Sequence, residues 1–194
     1  MRIYYNRSKI NLSLHRGEHL LHSFLPNKHV QSIFEITPQF LQSIGKKAIL
    51  VDLDNTLVPW NVACATDKVK QWFYNMHEAN IETIVFSNNN EERVAFFCDP
   101  LKIRYIYRAK KPLRKAFKTA QQILDVQHDE IVVIGDQLLT DILGGNRAGF
   151  YTILVVPIVR SDALITKFNR RIERMILNRF YRQGKLTRRD ERDE

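Results

Sequence analysis

The sequence predicts an α/β fold in which a mostly parallel five-stranded sheet carries helices on both faces. The chain has 194 residues, 44 % of them apolar, which is enough to fill one sizeable core. From residue 47 onward, short apolar runs alternate with longer segments whose apolar residues recur every three or four positions. This alternation is typical of a sheet whose strands are joined by helical crossovers.

Five apolar runs are the predicted strands, and the segments between them are the predicted helices. The strands cover residues 48–53, 83–86, 104–107, 130–134 and 151–155, and the helices cover 67–79, 91–97, 112–124 and 139–148. We therefore divide the chain into an N-terminal segment that packs on the core (1–45), the α/β core (46–158) and a C-terminal helix with a tail (159–194).

The charge balance favours anionic partners. Lys and Arg number 30 and Asp and Glu number 21, which gives a formal net charge of +9. Phosphorylated substrates, anionic membranes and nucleic acids all suit such a surplus, and the charge does not choose among them.

The cysteines and the apolar runs indicate a cytoplasmic protein, at most bound peripherally to the inner face of a membrane. Cys64 and Cys98 are far apart and form no disulfide framework. No stretch resembles a secretory signal or reaches the ~18 apolar residues of a membrane-spanning helix. We interpret His15, His19 and His22 as a polar helix face rather than a metal cluster.

Polar side chains follow four successive predicted strands, at the edge where ligands bind in parallel sheets. Taken singly, each segment is also typical of a turn or a helix cap. Their order at successive strand ends favours a functional site. The residues are Asp52 and Asp54 after the first strand, Ser87 and Asn88 after the second, Lys110 and Lys111 after the third, and Asp136, Thr140 and Asp141 after the fourth.

These residue types suit phosphoryl transfer with a metal ion. Mg²⁺ prefers oxygen ligands, which Asp52 and Asp136 could supply. Lys111 and Ser87 could hold the charged phosphoryl group. A carboxylate such as that of Asp52 can also act as a nucleophile, and Asp54 could transfer the protons.

The motif set resembles that of the haloacid dehalogenase-like (HAD) superfamily. Residues 51–57 (VDLDNTL) are similar to its first motif, Ser87 to the second, Lys111 to the third, and residues 135–141 (GDQLLTD) to the fourth. The resemblance implies a Rossmann-like fold, Mg²⁺ and an aspartyl-phosphate intermediate.

The resemblance also implies a role for each residue. Asp52 would be the nucleophile, and Asp54 the general acid and base. Thr56 would position the loop, and Ser87, Asn88 and Lys111 would hold the phosphoryl group. The metal would be bound by Asp52, Asp136 and the backbone carbonyl of Asp54, and Asp141 would either bind it or orient its ligands.

Two details narrow the resemblance. An Asp at position 54 favours phosphatase or phosphomutase chemistry over the transport-ATPase and dehalogenase branches. Only 30 residues separate Thr56 from Ser87, and only 23 separate Ser87 from Lys111. Neither gap can hold a large cap domain, so we expect an open site that suits a bulky substrate or a membrane surface.

The local sequence most resembles the YqeG-type subgroup of HAD subfamily IIIA, which has phosphatidylglycerophosphate phosphatases among its relatives. Residues 24–26 (FLP), 52–60, 111–112 (KP) and 135–141, with Gly144, Asn146 and Gly149, carry the resemblance. Asn61 departs from the acidic residue expected after Trp60. The resemblance favours a lipid-phosphate phosphatase.

The C-terminal segment is strongly basic. Residues 160–189 contain ten Lys or Arg and two acidic residues. Ile165, Phe168, Ile172, Met175 and Ile176 recur at helical spacing among them, which predicts a basic amphipathic helix. Its apolar side could pack on the protein's own core, lie on an anionic membrane or bind RNA.

Three functions are therefore compatible with the sequence. The first is a peripheral phosphatase acting on phosphatidylglycerophosphate. The second is a soluble phosphatase acting on a sugar, nucleotide or phosphoprotein. The third is an RNA- or ribosome-associated binding protein with a HAD fold, which the intact set of Asp54, Lys111 and Asp136 disfavours.

Overall fold

The computed structural model describes residues 21–159 and 164–188, and it confirms the parallel α/β sheet with six strands rather than five. Neighbouring strands are all parallel, in the order β1-β6-β5-β2-β3-β4. The strands are β1 (Lys28–Val30), β2 (Ala48–Val51), β3 (Glu82–Phe86), β4 (Arg104–Ile106), β5 (Ile131–Gly135) and β6 (Tyr151–Val155). The helices are α1 (Pro38–Ser43), α2 (Asp67–Glu78), α3 (Glu91–Cys98), α4 (Arg114–Leu124), α5 (Leu143–Ala148) and α6 (Leu164–Arg182).

The additional strand, β1, lies in the N-terminal segment. It pairs with β6 at the edge of the sheet, where Lys28 is opposite Ile153 and Val30 is opposite Val155. Two of its three residues are polar, so it has neither the length nor the apolar run by which a strand is recognised in a sequence.

Asn146, at the sheet-facing side of α5, ties this segment to the core. Its side-chain amide donates to the carbonyls of Ser23 (2.8 Å) and Leu25 (3.0 Å). Its Oδ1 accepts from the Thr152 hydroxyl (2.9 Å) on β6. One side chain thus joins the N-terminal segment, α5 and the sheet.

Two apolar clusters cover the two faces of the sheet. Thr66 is the N-cap of α2, and its hydroxyl accepts from the Val69 amide. Asn90 is the N-cap of α3, and its side chain accepts from the Arg93 amide. The predicted apolar side of α2 is buried against one face, as expected. α4 packs on the other face, mainly through Phe117, which contacts Phe86 and Phe150.

The order of the strands creates a switch point at β2 and β5. From β2 the chain proceeds outward through β3 and β4, and then returns to β5 and β6 on the other side. The crossovers therefore diverge at the carboxyl ends of β2 and β5, which leaves a crevice where such sheets bind ligands. Directly after β2, the amide of Asp52 donates to the Ile134 carbonyl on β5 (2.9 Å).

The C-terminal helix α6 packs on the protein's own core. Phe180 is buried, and Ile176 and Leu177 contact a small cluster formed by Leu138, Ile142 and Leu154. Met175, which we assigned to the apolar side, is instead 70 % exposed. No helix in the described ranges is long and apolar enough to cross a bilayer. The side chains of Ile165 and Phe168, and residues His15 and His19, lie outside the described structure.

Candidate active site

The residues predicted for the site meet at the carboxyl edge of the sheet. Asp52 follows β2, Ser87 follows β3 and Asp136 follows β5, while a π-helical turn (Leu138–Ile142) brings Asp141 back over the end of β5. Six of the predicted residues are buried although all of them are charged or polar: Asp52, Thr56, Ser87, Lys111, Asp136 and Asp141.

Lys111 lies at the centre of this cluster. Its Nζ is 2.7 Å from Asp52 Oδ1 and 2.6 Å from Asp141 Oδ1. Burial lowers the pKa of Lys111, but the carboxylates of Asp141 and Asp52 outweigh that effect and raise it overall. The ammonium group is therefore charged at neutral pH.

Asn88 holds the backbone of Lys111 rather than facing the acidic cluster. Its Oδ1 accepts from the Lys111 amide (2.7 Å) and its Nδ2 donates to the Lys111 carbonyl (3.2 Å). The two hydrogen bonds mimic the pairing of neighbouring strands. They fix the point at which the Lys111 side chain enters the site.

Asp141 approaches so closely that residue 135 must be a glycine. A Cβ atom at Gly135 would lie 2.3 Å from the carboxyl carbon of Asp141, too close for any side chain. Asp141 Oδ2 also accepts from the Gln137 amide (3.2 Å). The carboxylate is thereby fixed in the orientation that presents Oδ1 to Lys111.

Asp52, Asp136 and Asp141 form a group of carboxylates whose oxygens lie within 4.8 Å of one another. Burial raises the pKa of Asp52 to about 8; the charge of Lys111 opposes this, and those of Asp141 and Asp136 add to it. Burial likewise raises the pKa of Asp136. The site therefore favours a bound positive charge, either protons or a metal ion.

The charge of the cluster fits one divalent cation. The buried carboxylates are those of Asp52, Asp136, Asp141 and Glu173, whereas the cations facing them are Lys111 and Arg170. When all four carboxyl groups are ionised, they exceed the two cations by two negative charges. Carboxylate oxygens are also the ligands that hard divalent ions prefer, so these residues fit a metal of that class.

The carboxylate of Asp54 has different partners from those of the acidic cluster. Its Oδ1 accepts from Arg93 Nη2 (2.8 Å) and Nε (3.2 Å), and its Oδ2 accepts from Asn89 Nδ2 (2.9 Å). Arg93 also donates to the carbonyls of Val62 (2.8 Å) and Ala63 (3.2 Å). One guanidinium thus joins Asp54 to the loop that follows it.

Two hydroxyl groups complete the described site. The Oγ of Ser87 accepts from the Asn89 amide (3.1 Å), which orders the turn after β3. The Oγ1 of Thr56 is 3.4 Å from Asp136 Oδ1, a long hydrogen bond. Ser87 and Thr56 therefore lie in the segments that follow β3 and β2.

Several side chains in the described ranges contact the site although the sequence did not indicate them, and one of them is Asn89, which donates to Asp54. Arg93, in the first turn of α3, donates to Asp54. From α6, Arg170 donates to Asp136 and Glu173 accepts from the Leu139 amide. The only signal for the last two was a lone acidic residue in the middle of a basic helix. An acidic residue three positions after an Arg commonly forms an ion pair on the surface of a helix. The pair of Arg170 and Glu173 is unusual because Glu173 is buried.

Comparison with known proteins agrees with this geometry. A curated protein from Bacillus subtilis, named probable phosphatase YqeG, is 50 % identical over 163 residues, which are 84 % of this chain and 95 % of that one. The chain belongs to the YqeG-type phosphatases of the HAD superfamily. A family profile described as HAD-hydrolase-like also matches residues 108–179 of this phosphatase.

Two further proteins are more distantly similar to this YqeG-type chain. Phosphatidylglycerophosphate phosphatase 1 of Arabidopsis thaliana is 28 % identical over 177 residues, which are 82 % of this chain and 49 % of that protein. The crystal structure of a hypothetical protein from Xanthomonas campestris superposes with a TM-score of 0.50 at 14 % identity, covering 61 % of this chain and 72 % of that one. The second likeness concerns the fold alone.

Proposed function

We propose that this phosphatase hydrolyses phosphatidylglycerophosphate in phospholipid synthesis, using Mg²⁺ and a phosphorylated Asp52. The main support for this reaction is the position of Asp52. Its carboxylate lies at the switch point, bonded to Lys111 and within reach of Asp136 and Asp141. A buried carboxylate beside a fixed cation is suited to attack a phosphate ester.

In the first step, an oxygen of Asp52 forms a bond to phosphorus as the bond from phosphorus to the ester oxygen breaks. Asp54 donates a proton to the departing oxygen. Lys111, held by Asp141 and Asn88, stabilises the negative charge on the transferring group. Ser87 and Thr56 lie at the strand ends where they could bind the remaining phosphoryl oxygens and order the loop.

In the second step, Asp54 takes a proton from water, whose oxygen bonds to phosphorus. The bond between phosphorus and Asp52 breaks, which releases inorganic phosphate and restores the carboxylate. Asp52, Asp136 and the carbonyl of Asp54 would hold Mg²⁺, with Asp141 beside them. When bound, Mg²⁺ would supply positive charge to the phosphoryl oxygens.

Two observations support a lipid rather than a soluble substrate. The plant relative is named for phosphatidylglycerophosphate, and apolar side chains project from the loops at the site. Trp60 is 50 % exposed and Leu113 58 % exposed, one after the first motif and one after Lys111. Arg108 and Lys110, which precede Leu113 by a few residues in the sequence, are also exposed. Aromatic and basic side chains together suit the headgroup region of an anionic membrane.

The decisive experiment is a phosphate-release assay with Mg²⁺ on two sets of substrates. One set is phosphatidylglycerophosphate in mixed micelles, and the other is a panel of soluble sugar, nucleotide and protein phosphates. We expect turnover of the lipid, with little turnover of the soluble esters. Asp52→Asn, which is similar in shape but a poor nucleophile, should abolish release, and EDTA should do the same.

The same assay distinguishes the alternatives. Rapid turnover of a soluble ester with none of the lipid would replace the lipid assignment and retain the chemistry. Equal rates for Asp52→Asn and the unmodified protein would exclude the proposed nucleophile. RNA that co-purifies in a salt-sensitive manner, with no phosphatase activity on either set, would favour a binding protein.

A further inference from the structure

Arg170 of the basic helix α6 contacts the acidic cluster formed by Asp52, Asp136 and Asp141. Arg170 Nη1 donates to the backbone carbonyl of Asp136 (2.8 Å), and Nη2 donates to its carboxylate Oδ2. The same Nη1 lies 3.2 Å from Glu173 Oε2, one helical turn further along. A single guanidinium therefore fixes both the backbone and the side chain of Asp136.

Glu173 adds a second contact between α6 and the site. Its Oε1 accepts from the Leu139 amide (3.1 Å), at the start of the π-helical turn that carries Asp141. Glu173 is buried, although an acid on a basic helix could readily face water. Burial raises its pKa to about 7, which Arg170 opposes. A buried acid held at this cost points to a role at the site rather than on the surface.

We infer that Arg170 is a positioning residue for the metal site, and that α6 thereby completes the active site. The inference rests on the proposed role of Asp136 as a metal ligand. With Oδ2 held by Arg170, the other oxygen of Asp136 is directed toward Thr56, on the loop that follows Asp52. Partners of this kind orient ligating carboxylates, and their loss weakens metal binding.

Positioning Asp136 is a different role from attaching α6 to the core. Leu177 and Phe180 already hold the helix on the core through apolar contacts. An ion pair that served only for attachment would not need to contact a carboxylate of the acidic cluster. It also differs from competition, in which Arg170 would take the place of the metal and its removal would tighten metal binding.

The test measures metal binding directly, with Mn²⁺ as the probe and the EPR signal of the free ion as the readout. The proteins are the full chain, Arg170→Gln, Arg170→Lys, Asp136→Asn and the control Arg171→Gln, which alters the adjacent exposed Arg. We expect Arg170→Gln to raise the Mn²⁺ dissociation constant by roughly 10–100-fold. Arg170→Lys keeps the charge but not the forked geometry, so it should weaken binding less.

The controls separate the possible results. Arg171→Gln should bind Mn²⁺ as the unmodified protein does, and Asp136→Asn should lose binding. Unchanged or tighter binding by Arg170→Gln, with binding lost in Asp136→Asn, would overturn this inference and leave the proposed metal site standing. Normal binding by Asp136→Asn would overturn both. If circular dichroism shows that Arg170→Gln does not fold, Arg170→Lys decides by the same criterion.

Discussion

At the scale of single residues, Arg93 is the contact with the clearest catalytic consequence. Its guanidinium holds one oxygen of Asp54 while also binding the loop carbonyls of Val62 and Ala63. We expect Arg93→Gln to lower kcat by roughly 10- to 100-fold, since general acid–base catalysis supplies about 10²–10⁴-fold and the variant keeps Asp54 but not its orientation. Steady-state kinetics on phosphatidylglycerophosphate in mixed micelles would measure this.

A matched control for Arg93 lies at the opposite end of the sheet. Arg104, at the start of β4, forms an exposed ion pair with Glu82, so Arg104→Gln removes the same charge far from the site. Its kcat should equal that of the unmodified protein, because exposed ion pairs contribute little. If the two variants lose kcat to the same extent, Asp54 is not positioned by Arg93.

The sequence predicts the residues that follow strands but not those that reach the site from helices. Asp52, Ser87 and Asp136 could be placed together because the carboxyl ends of parallel strands share one edge. Arg93 and Arg170 could not, since their contacts depend on how α3 and α6 are oriented on the sheet. That orientation is set by the packing of apolar side chains. A sequence pattern predicts which side of a helix is buried but not how the helix is oriented on the sheet.

At the scale of elements, the loops after β2 and β4 carry the exposed apolar side chains Trp60 and Leu113, and we call these two loops the rim. We expect Trp60→Ser combined with Leu113→Ser to weaken binding to anionic vesicles. Full burial of such a side chain contributes about 1.5–3 kcal/mol, and both are about half exposed, so the pair should cost roughly tenfold or more in partitioning. Flotation with phosphatidylglycerol vesicles would measure the bound fraction.

Activity on a soluble ester provides the contrast for the rim variant. It should be retained, because neither side chain contacts the acidic cluster through any described hydrogen bond. Tyr74→Ser is the control, since Tyr74 is 57 % exposed but belongs to the helix α2 and to neither rim loop. Vesicle binding that falls equally in Tyr74→Ser would show that these loops are not the membrane-facing surface.

The predictions for elements succeeded where a segment has a clear period. The apolar side of α2 and the buried strands β2 and β5 agree with the structure because each is long or fully apolar. β1 was missed because it is short and partly polar, and its pairing with β6 is decided by tertiary contacts. Met175 was wrongly assigned to the buried side of α6. The error arose because a helical repeat does not determine the exact limits of the buried face.

At the scale of the whole molecule, the buried carboxyl groups couple stability to pH and metal. The pKa of Asp52 is raised to about 8 and that of Glu173 to about 7 in the folded protein. Between their ordinary values near 4 and these values, the folded state holds more protons than the unfolded state. The free energy of unfolding of the metal-free protein should therefore fall as the pH rises through this range.

Mg²⁺ should reverse that loss. It competes with protons for the same oxygens, so the increase in Tm caused by Mg²⁺, relative to EDTA, should be larger at pH 8.5 than at pH 5.5. Differential scanning fluorimetry at both pH values would measure it. Taking the difference at each pH cancels the general repulsion of a chain with a net charge of +9. An increase that is the same at both pH values would contradict the coupling.

The pairing of β1 with β6 determines when the sheet can close during synthesis. Lys28 is opposite Ile153, so the first strand of the described residues must wait for the last one to be synthesised. Until then its backbone groups have no strand partner, and loop closure over so long a separation is slow. The nascent chain can assemble β2, β3 and β4 beforehand, whereas the edge strand, the Asn146 tether and the Arg170 contact must wait for the synthesis of α5, β6 and α6.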